Sequence, residues 1–137
     1  MSRMQLALNV SNVDEAVAFY RQLFGVEPAK RRPQYANFVV ADPPLKLVLI
    51  EGVGEPGTLN HVGVEVESTG EVATEAARLG GAGFALRHEP GVTCCYALQD
   101  KFWVDGPDNR PWEIYTVLAD AGAPACGPAS SCAPAGG

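Results

Sequence analysis

The chain has 137 residues, 47% of them hydrophobic and 19% charged, which is one domain's worth of sequence with a modest core. A formal net charge of −6 argues against nucleic acid or an anionic membrane as the main partner. No apolar run approaches the ~18 residues of a spanning helix, and "MSRMQLALNV" lacks the layout of a cleavable signal, so the expected compartment is cytoplasmic.

A strand is expected from Gln5, where Leu6, Leu8 and Val10 form an apolar face and Gln5, Ala7 and Asn9 the opposite one. The pattern then becomes helical through Glu15 and Leu23, and Gly25 suits a helix C-terminus with positive φ. A weak strand around "EPAK" precedes a hairpin made of "YANFVV", a turn at "ADPP", and "LKLVLIE". The pattern restarts at His61, 56 residues after Gln5. Val62, Val64 and Val66 oppose His61, Gly63 and Glu65, and a second helix runs through Glu71 and Leu79 to Gly81. A weaker strand follows at "GFALRHE", then "FWV", a turn at "DGPDNRP", and "WEIYTVL". The fold class is therefore α+β, two βαβββ modules of about 3–52 and 58–118 within one domain of residues 1–118. The last 19 residues, almost wholly Ala, Gly, Pro, Ser and Cys, read as a disordered tail, 119–137.

The repeat singles out a site. In both opening strands the non-helical face reads polar, tiny, polar, and a tiny residue beside Gln5 and His61 leaves room for a cavity. Aligning Pro44 with Pro111 sets Lys46 opposite Glu113, with Leu45, Leu47 and Leu49 on the helix side and Tyr115 beside Glu113. Gln5, His61 and Glu113 are thus three metal-ligand types at matched strand positions, an incomplete shell that leaves sites open. Lys46, at the fourth position, is expected to snorkel at a sheet edge. A lone strand histidine is more often structural than a ligand, and the matched Gln5 and Glu113 positions tip the balance here. His88 has no such support and reads as a surface or strand-end residue.

The offset between the modules is 56 at the first strand and 67 at the last, so the second has gained 11 residues. About four lie in the hairpin turn and some seven before "FWV", where Cys94 and Cys95 stand. The pair is expected reduced, on an inserted loop beside Lys101, whose charge would lower a thiol pKa. Two inert buried thiols are the plain alternative. Phe102 and Trp103 read as core or pocket wall; Tyr96 and Gln99 are candidates to reach a substrate, which the sequence leaves open. Cys126 and Cys132 sit in the tail, either without a role or as a soft-metal hook.

On "FYRQLFG", "YANFVVADPPLKLVLIEG", "LNHVGVEVEST" and above all "TCCYALQDKFWV", the chain resembles the vicinal oxygen chelate superfamily of glyoxalases and extradiol dioxygenases. Within it, the chain looks most like the bacterial C–As lyases and the actinobacterial cadmium-inducible proteins. The resemblance covers roughly residues 2–118. It implies paired modules forming an incomplete barrel around a divalent metal, with Gln5, His61 and Glu113 as ligands to Fe(II). It implies Cys94 and Cys95 as the thiols that bind a trivalent organoarsenical, whose carbon–arsenic bond is cleaved with molecular oxygen to give arsenite, a route to arsenic resistance. Many members carry His at the first ligand position, where this chain has Gln5, a weaker neutral donor. Relatives of the fold often pair modules between chains, which allows a homodimer. Two rival readings remain: a cadmium or soft-metal binder without catalysis, and glyoxalase- or fosfomycin-type chemistry that leaves the dithiol without a role.

Overall fold

The computed structural model describes residues 2–94 and 96–120. The chain divides into two compact units, one of residues 3–62 and one that begins at Gly63.

The first unit contains β1 (Arg3–Val10), α1 (Val13–Phe24), β2 (Lys30–Arg32), β3 (Tyr35–Val40) and β4 (Leu45–Glu51), in the sheet order β2-β3-β4-β1, with the opening residues of β5 (Leu59–Glu65) beside β1. Asn12 caps α1, its Oδ1 accepting from the Glu15 amide at 2.9 Å, and Glu51 Oε1 accepts from the Val13 amide at 2.7 Å. Gly25 closes the helix at φ +66°, a left-handed conformation that glycine adopts without a Cβ clash. The β1 and β4 strands run parallel, with Gln5 paired to Lys46, while β3 and β4 run antiparallel. Leu6, Leu8 and Val10 pack with Phe38, Leu47 and Leu49 against Val13 and Val17 of α1. Each fully buried leucine there contributes about 1.5–3 kcal/mol relative to exposure. Between β2 and β3, Pro33 precedes Gln34 at φ +59°, the combination of a type II turn.

The second unit contains the end of β5, α2 (Thr69–Gly81), β6 (Leu86–Cys94), β7 (Ala97–Gly106) and β8 (Arg110–Asp120), ordered β5-β8-β7-β6. Ser68 caps α2 through the Glu71 amide at 3.1 Å. Val64, Val66, Phe102 and Ile114 pack against Val72, Ala76 and Leu79. The positive φ expected at Gly81 falls instead at Gly83 (+96°), because Gly81 is the last helical residue.

The extra residues of the second module form strand rather than an inserted loop. Where β2 has three residues and β3 six, β6 has nine and β7 ten, and Cys94 pairs with Ala97 at the tip of a tight hairpin. Length and register explain this: "VTC" and "ALQ" alternate well enough to extend the ladder. A bulge between Glu89 and Val92 adjusts the pairing, with Gly91 at φ +61° and its amide donating to Asp100 Oδ1 at 2.7 Å. The expected tail start at residue 119 is also displaced, since β8 runs to Asp120. Cys126 and Cys132 lie outside the described residues.

Candidate functional site

Alternation along β1 puts Gln5, Ala7 and Asn9 on the face away from α1, and β4 adds Lys46, Val48 and Ile50 in register. Lys46 is half-buried on a central strand, between β3 and β1, and so is not at the sheet edge expected of it. On this face Gln5 and His61 come together: both are buried, and their Nε2 atoms stand 3.1 Å apart. The other ring nitrogen, Nδ1, lies 2.7 Å from Asn60 Oδ1.

In the second unit, alternation along β8 puts Glu113 and Tyr115 opposite the helix-facing Ile114. Glu113 is 1% exposed, more deeply buried than its flanking sequence suggests, and Lys101 Nζ donates to its Oε1 at 2.5 Å. Lys101 is itself 2% exposed, with its ammonium 5.7 Å from the Trp103 ring centre and 5.8 Å from that of Tyr115. Its charge therefore serves Glu113. It is not positioned to activate Cys94, since the hairpin pairing sets it four residues along β7 from Ala97, about 13 Å away. The Tyr115 hydroxyl donates to Glu65 Oε1 at 3.0 Å. A lysine between "LQD" and "FWV" is the sequence signal for this pair: in a strand whose neighbours are apolar, a cation needs a buried anion.

Gly63 does not leave room for a cavity. A Cβ built on it would stand 2.5 Å from the Glu113 carbonyl oxygen and 2.9 Å from Glu113 Cγ, so the missing side chain admits β8 at close approach.

Cys94 is 1% exposed and disulfide-bonded, unlike the reduced thiol expected of it; the described residues hold no other cysteine, and Cys95 lies outside them. Gln99 Nε2 donates to the Cys94 carbonyl at 3.0 Å, while Gln99 Oε1 is buried without a partner among the described residues. Tyr96 is buried in the turn at φ +63°. His88 is exposed within β6, its ring 5.9 Å from Phe102; Phe102 and Trp103 are fully buried, Phe102 in the core against α2.

Among the described residues, no three His, Cys, Asp or Glu side chains gather as a metal cluster. Each pair, taken within its own unit, nevertheless has the chemistry of divalent-ion ligands. Two cis ligands each about 2.1 Å from an ion stand roughly 3 Å apart, which is the spacing of Gln5 and His61 once the amide turns its oxygen inward. A carboxylate has four lone-pair sites, so an ammonium on Glu113 Oε1 is compatible with coordination by the other oxygen.

The chain is 60% identical over 121 residues to the cadmium-induced protein CadI of Mycobacterium tuberculosis, covering 88% of this chain and 80% of that one. It is 56% identical over 122 residues to the trivalent organoarsenical cleaving enzyme of Thermomonospora curvata, covering 88% and 81%. The fold matches the 2,3-dioxygenase LapB from Pseudomonas sp. KL28 with a TM-score of 0.64 at 17% identity, over 94% of this chain and 45% of that one. No helix among the described residues is long and apolar enough to cross a membrane. With the family profile matched over residues 4–114, the chain belongs to the Glyoxalase/Bleomycin resistance protein/Dioxygenase superfamily.

Proposed function

We propose that this chain is a C–As lyase, an Fe(II)- and oxygen-dependent dioxygenase that releases arsenite from trivalent organoarsenicals. Gln5, His61 and Glu113 are its metal ligands, and Cys94 and Cys95 its substrate thiols. The observation that carries the reading is the buried Gln5–His61 pair at the spacing of cis metal ligands. The relative named as an organoarsenical cleaving enzyme, at 56% identity, supports the choice of substrate.

A methyl- or aryl-arsenic(III) centre has one carbon bond and two exchangeable hydroxyls. Two thiols displace both as water and hold the arsenic by two sulfur bonds; a single thiol leaves one hydroxyl in place. Cys94 can do this only once its disulfide is reduced. The extended hairpin then presents the substrate from a tip whose Cys94 carbonyl is held by Gln99. When bound, Fe(II) supplies the one-electron chemistry that makes dioxygen reactive toward a carbon–arsenic bond. His61 and Gln5 contribute neutral donors and Glu113 a carboxylate, which the hydrogen bond from Lys101 holds in place. Atoms balance without a further reductant for the methyl substrate: methylarsonous acid and dioxygen have together the composition of arsenous acid and formaldehyde.

The test is to titrate the phosphine-reduced protein with methylarsenite while counting thiols. The wild type should lose two thiols per arsenic, and Cys94→Ser and Cys95→Ser should each weaken binding at least tenfold while leaving divalent-metal binding unchanged. Full turnover by Cys95→Ser overturns the assignment. A second reading, a cadmium-sequestering protein on the same fold, is favoured by the 60% identical relative named for its induction by cadmium. It requires tight Cd(II) binding that depends on Cys126 and Cys132, with no oxygen uptake.

A further inference from the structure

A chain of side-chain hydrogen bonds runs from a backbone carbonyl to the Gln5–His61 pair, and its direction is fixed at the far end. The Glu55 carbonyl can only accept, so the Thr58 hydroxyl, 2.6 Å away, must donate to it. Thr58 Oγ1 then accepts from Asn9 Nδ2 at 2.9 Å. This orients the Asn9 amide, whose Oδ1 accepts from Asn60 Nδ2 at 3.0 Å. The Asn60 amide is oriented in turn, and its Oδ1, 2.7 Å from His61 Nδ1, can only accept. The His61 proton therefore sits on Nδ1, and Nε2 carries the lone pair, which receives an N–H of Gln5 at 3.1 Å.

The backbone holds the relay in place. The Asn9 amide donates to the Thr58 carbonyl and the Gly57 amide to the Asn9 carbonyl, both at 2.9 Å. Gly54 lies so close that a Cβ there would stand 2.5 Å from Asn9 Nδ2. One acceptor alone would satisfy His61 Nδ1, whereas here the acceptor is itself oriented by the Asn9 amide, the Thr58 hydroxyl and the Glu55 carbonyl. Their common result is one tautomer.

We infer that Asn60, oriented through Asn9 and Thr58, is a positioning residue that locks His61 as its Nδ1–H tautomer, leaving Nε2 the unprotonated nitrogen that a metal ion would take. This rests on the proposed role of His61 as a ligand, and it adds residues that no motif of metal-ligand type reveals. An imidazole coordinates through a nitrogen that carries no proton, and the hydrogen bond on the opposite nitrogen selects which one that is. Loss of such an outer partner lowers metal affinity about 10–100-fold.

The test uses the full chain labelled with 15N-histidine, free of metal, at a pH where the ring is neutral, with His88→Gln assigning the two rings. Wild-type His61 should show a protonated Nδ1 and an unprotonated Nε2. Asn60→Ala should admit the Nε2–H form and weaken Mn(II) binding, followed by electron paramagnetic resonance of the free ion, by about 10–100-fold. Asn60→Asp keeps an acceptor and should retain Nδ1–H. Thr58→Val, at an exposed position, removes the anchor with little threat to folding and should give a mixture of tautomers. An Nε2–H ring in the wild type overturns the inference, as does an Asn60→Ala chain with unchanged tautomer and affinity. Undiminished Mn(II) binding by His61→Ala would instead overturn the proposed ligand set, whereas the wild-type spectrum alone decides the tautomer.

Discussion

Replacing Gly63 by alanine should disturb Glu113 more than so small a change suggests. The added Cβ would lie 2.5 Å from the Glu113 carbonyl oxygen and 2.9 Å from Cγ, and real Cβ atoms essentially never come within 3.0 Å of a neighbour. The β8 backbone must therefore withdraw by about half an ångström, or β5 must give by the same amount. Overpacking of this kind costs about 1–3 kcal/mol, set against the roughly 0.5–1 kcal/mol by which alanine is otherwise favoured over glycine within a strand. A net loss of up to about 2.5 kcal/mol, centred near 1, follows. Half an ångström is also the tolerance of a metal constellation, so with Glu113 a ligand as proposed, Mn(II) affinity should fall by more than the stability loss explains. Urea unfolding of the metal-free protein gives the first quantity and metal titration the second. Gly80→Ala is the control: nothing lies within 4 Å of its Cβ, and α2 should gain up to about 1 kcal/mol. A Gly63→Ala chain with wild-type stability and metal affinity would refute the reasoning.

Three further outcomes are expected. Lys101→Met leaves Glu113 buried without its ammonium and should destabilise the protein by about 3–5 kcal/mol in urea, while the double variant Lys101→Met with Glu113→Leu should recover most of the loss; additive losses would contradict this. Asn12→Ala removes the cap on the Glu15 amide and should cost about 1 kcal/mol of thermal or urea stability, with metal binding unaffected. Gln34→Gly, at φ +59° in an exposed turn, should stabilise by about 1 kcal/mol, since it relieves left-handed strain and gives up only a long hydrogen bond to Glu51, at 3.4 Å; a destabilised variant would show that this hydrogen bond matters more than its length implies.

Much of the first unit can be read from the chain because period-2 alternation and turn residues agree there. "YANFVV" and "LKLVLIE" correspond residue for residue to β3 and β4, and the helix-facing leucines are those of the apolar alternation. The alignment of the repeats sets Glu113 at a matched position because a strand's side-chain period is fixed at two. Register does not reveal depth, so Lys101 reads as a neighbour of the cysteines although it lies buried against Glu113. Nor does a glycine's sequence context distinguish empty space from close approach. Gly63 looks the same in either case until β8 is seen against it. The Asn60–Asn9 relay is likewise hidden: alternation sets Asn9 on the face of Gln5 without saying what it bonds, and only partners across 49 and 51 residues give the asparagines a direction.

The most direct test of the proposed lyase is arsenic speciation over time. The phosphine-reduced chain is reconstituted with Fe(II) without air, loaded with methylarsenite, and then exposed to oxygen. The proposed chemistry gives arsenite and formaldehyde in equal amounts, only when both iron and oxygen are present. Methylarsenite that stays bound and intact through many minutes in air would contradict it and make the chain a thiol trap for soft metals.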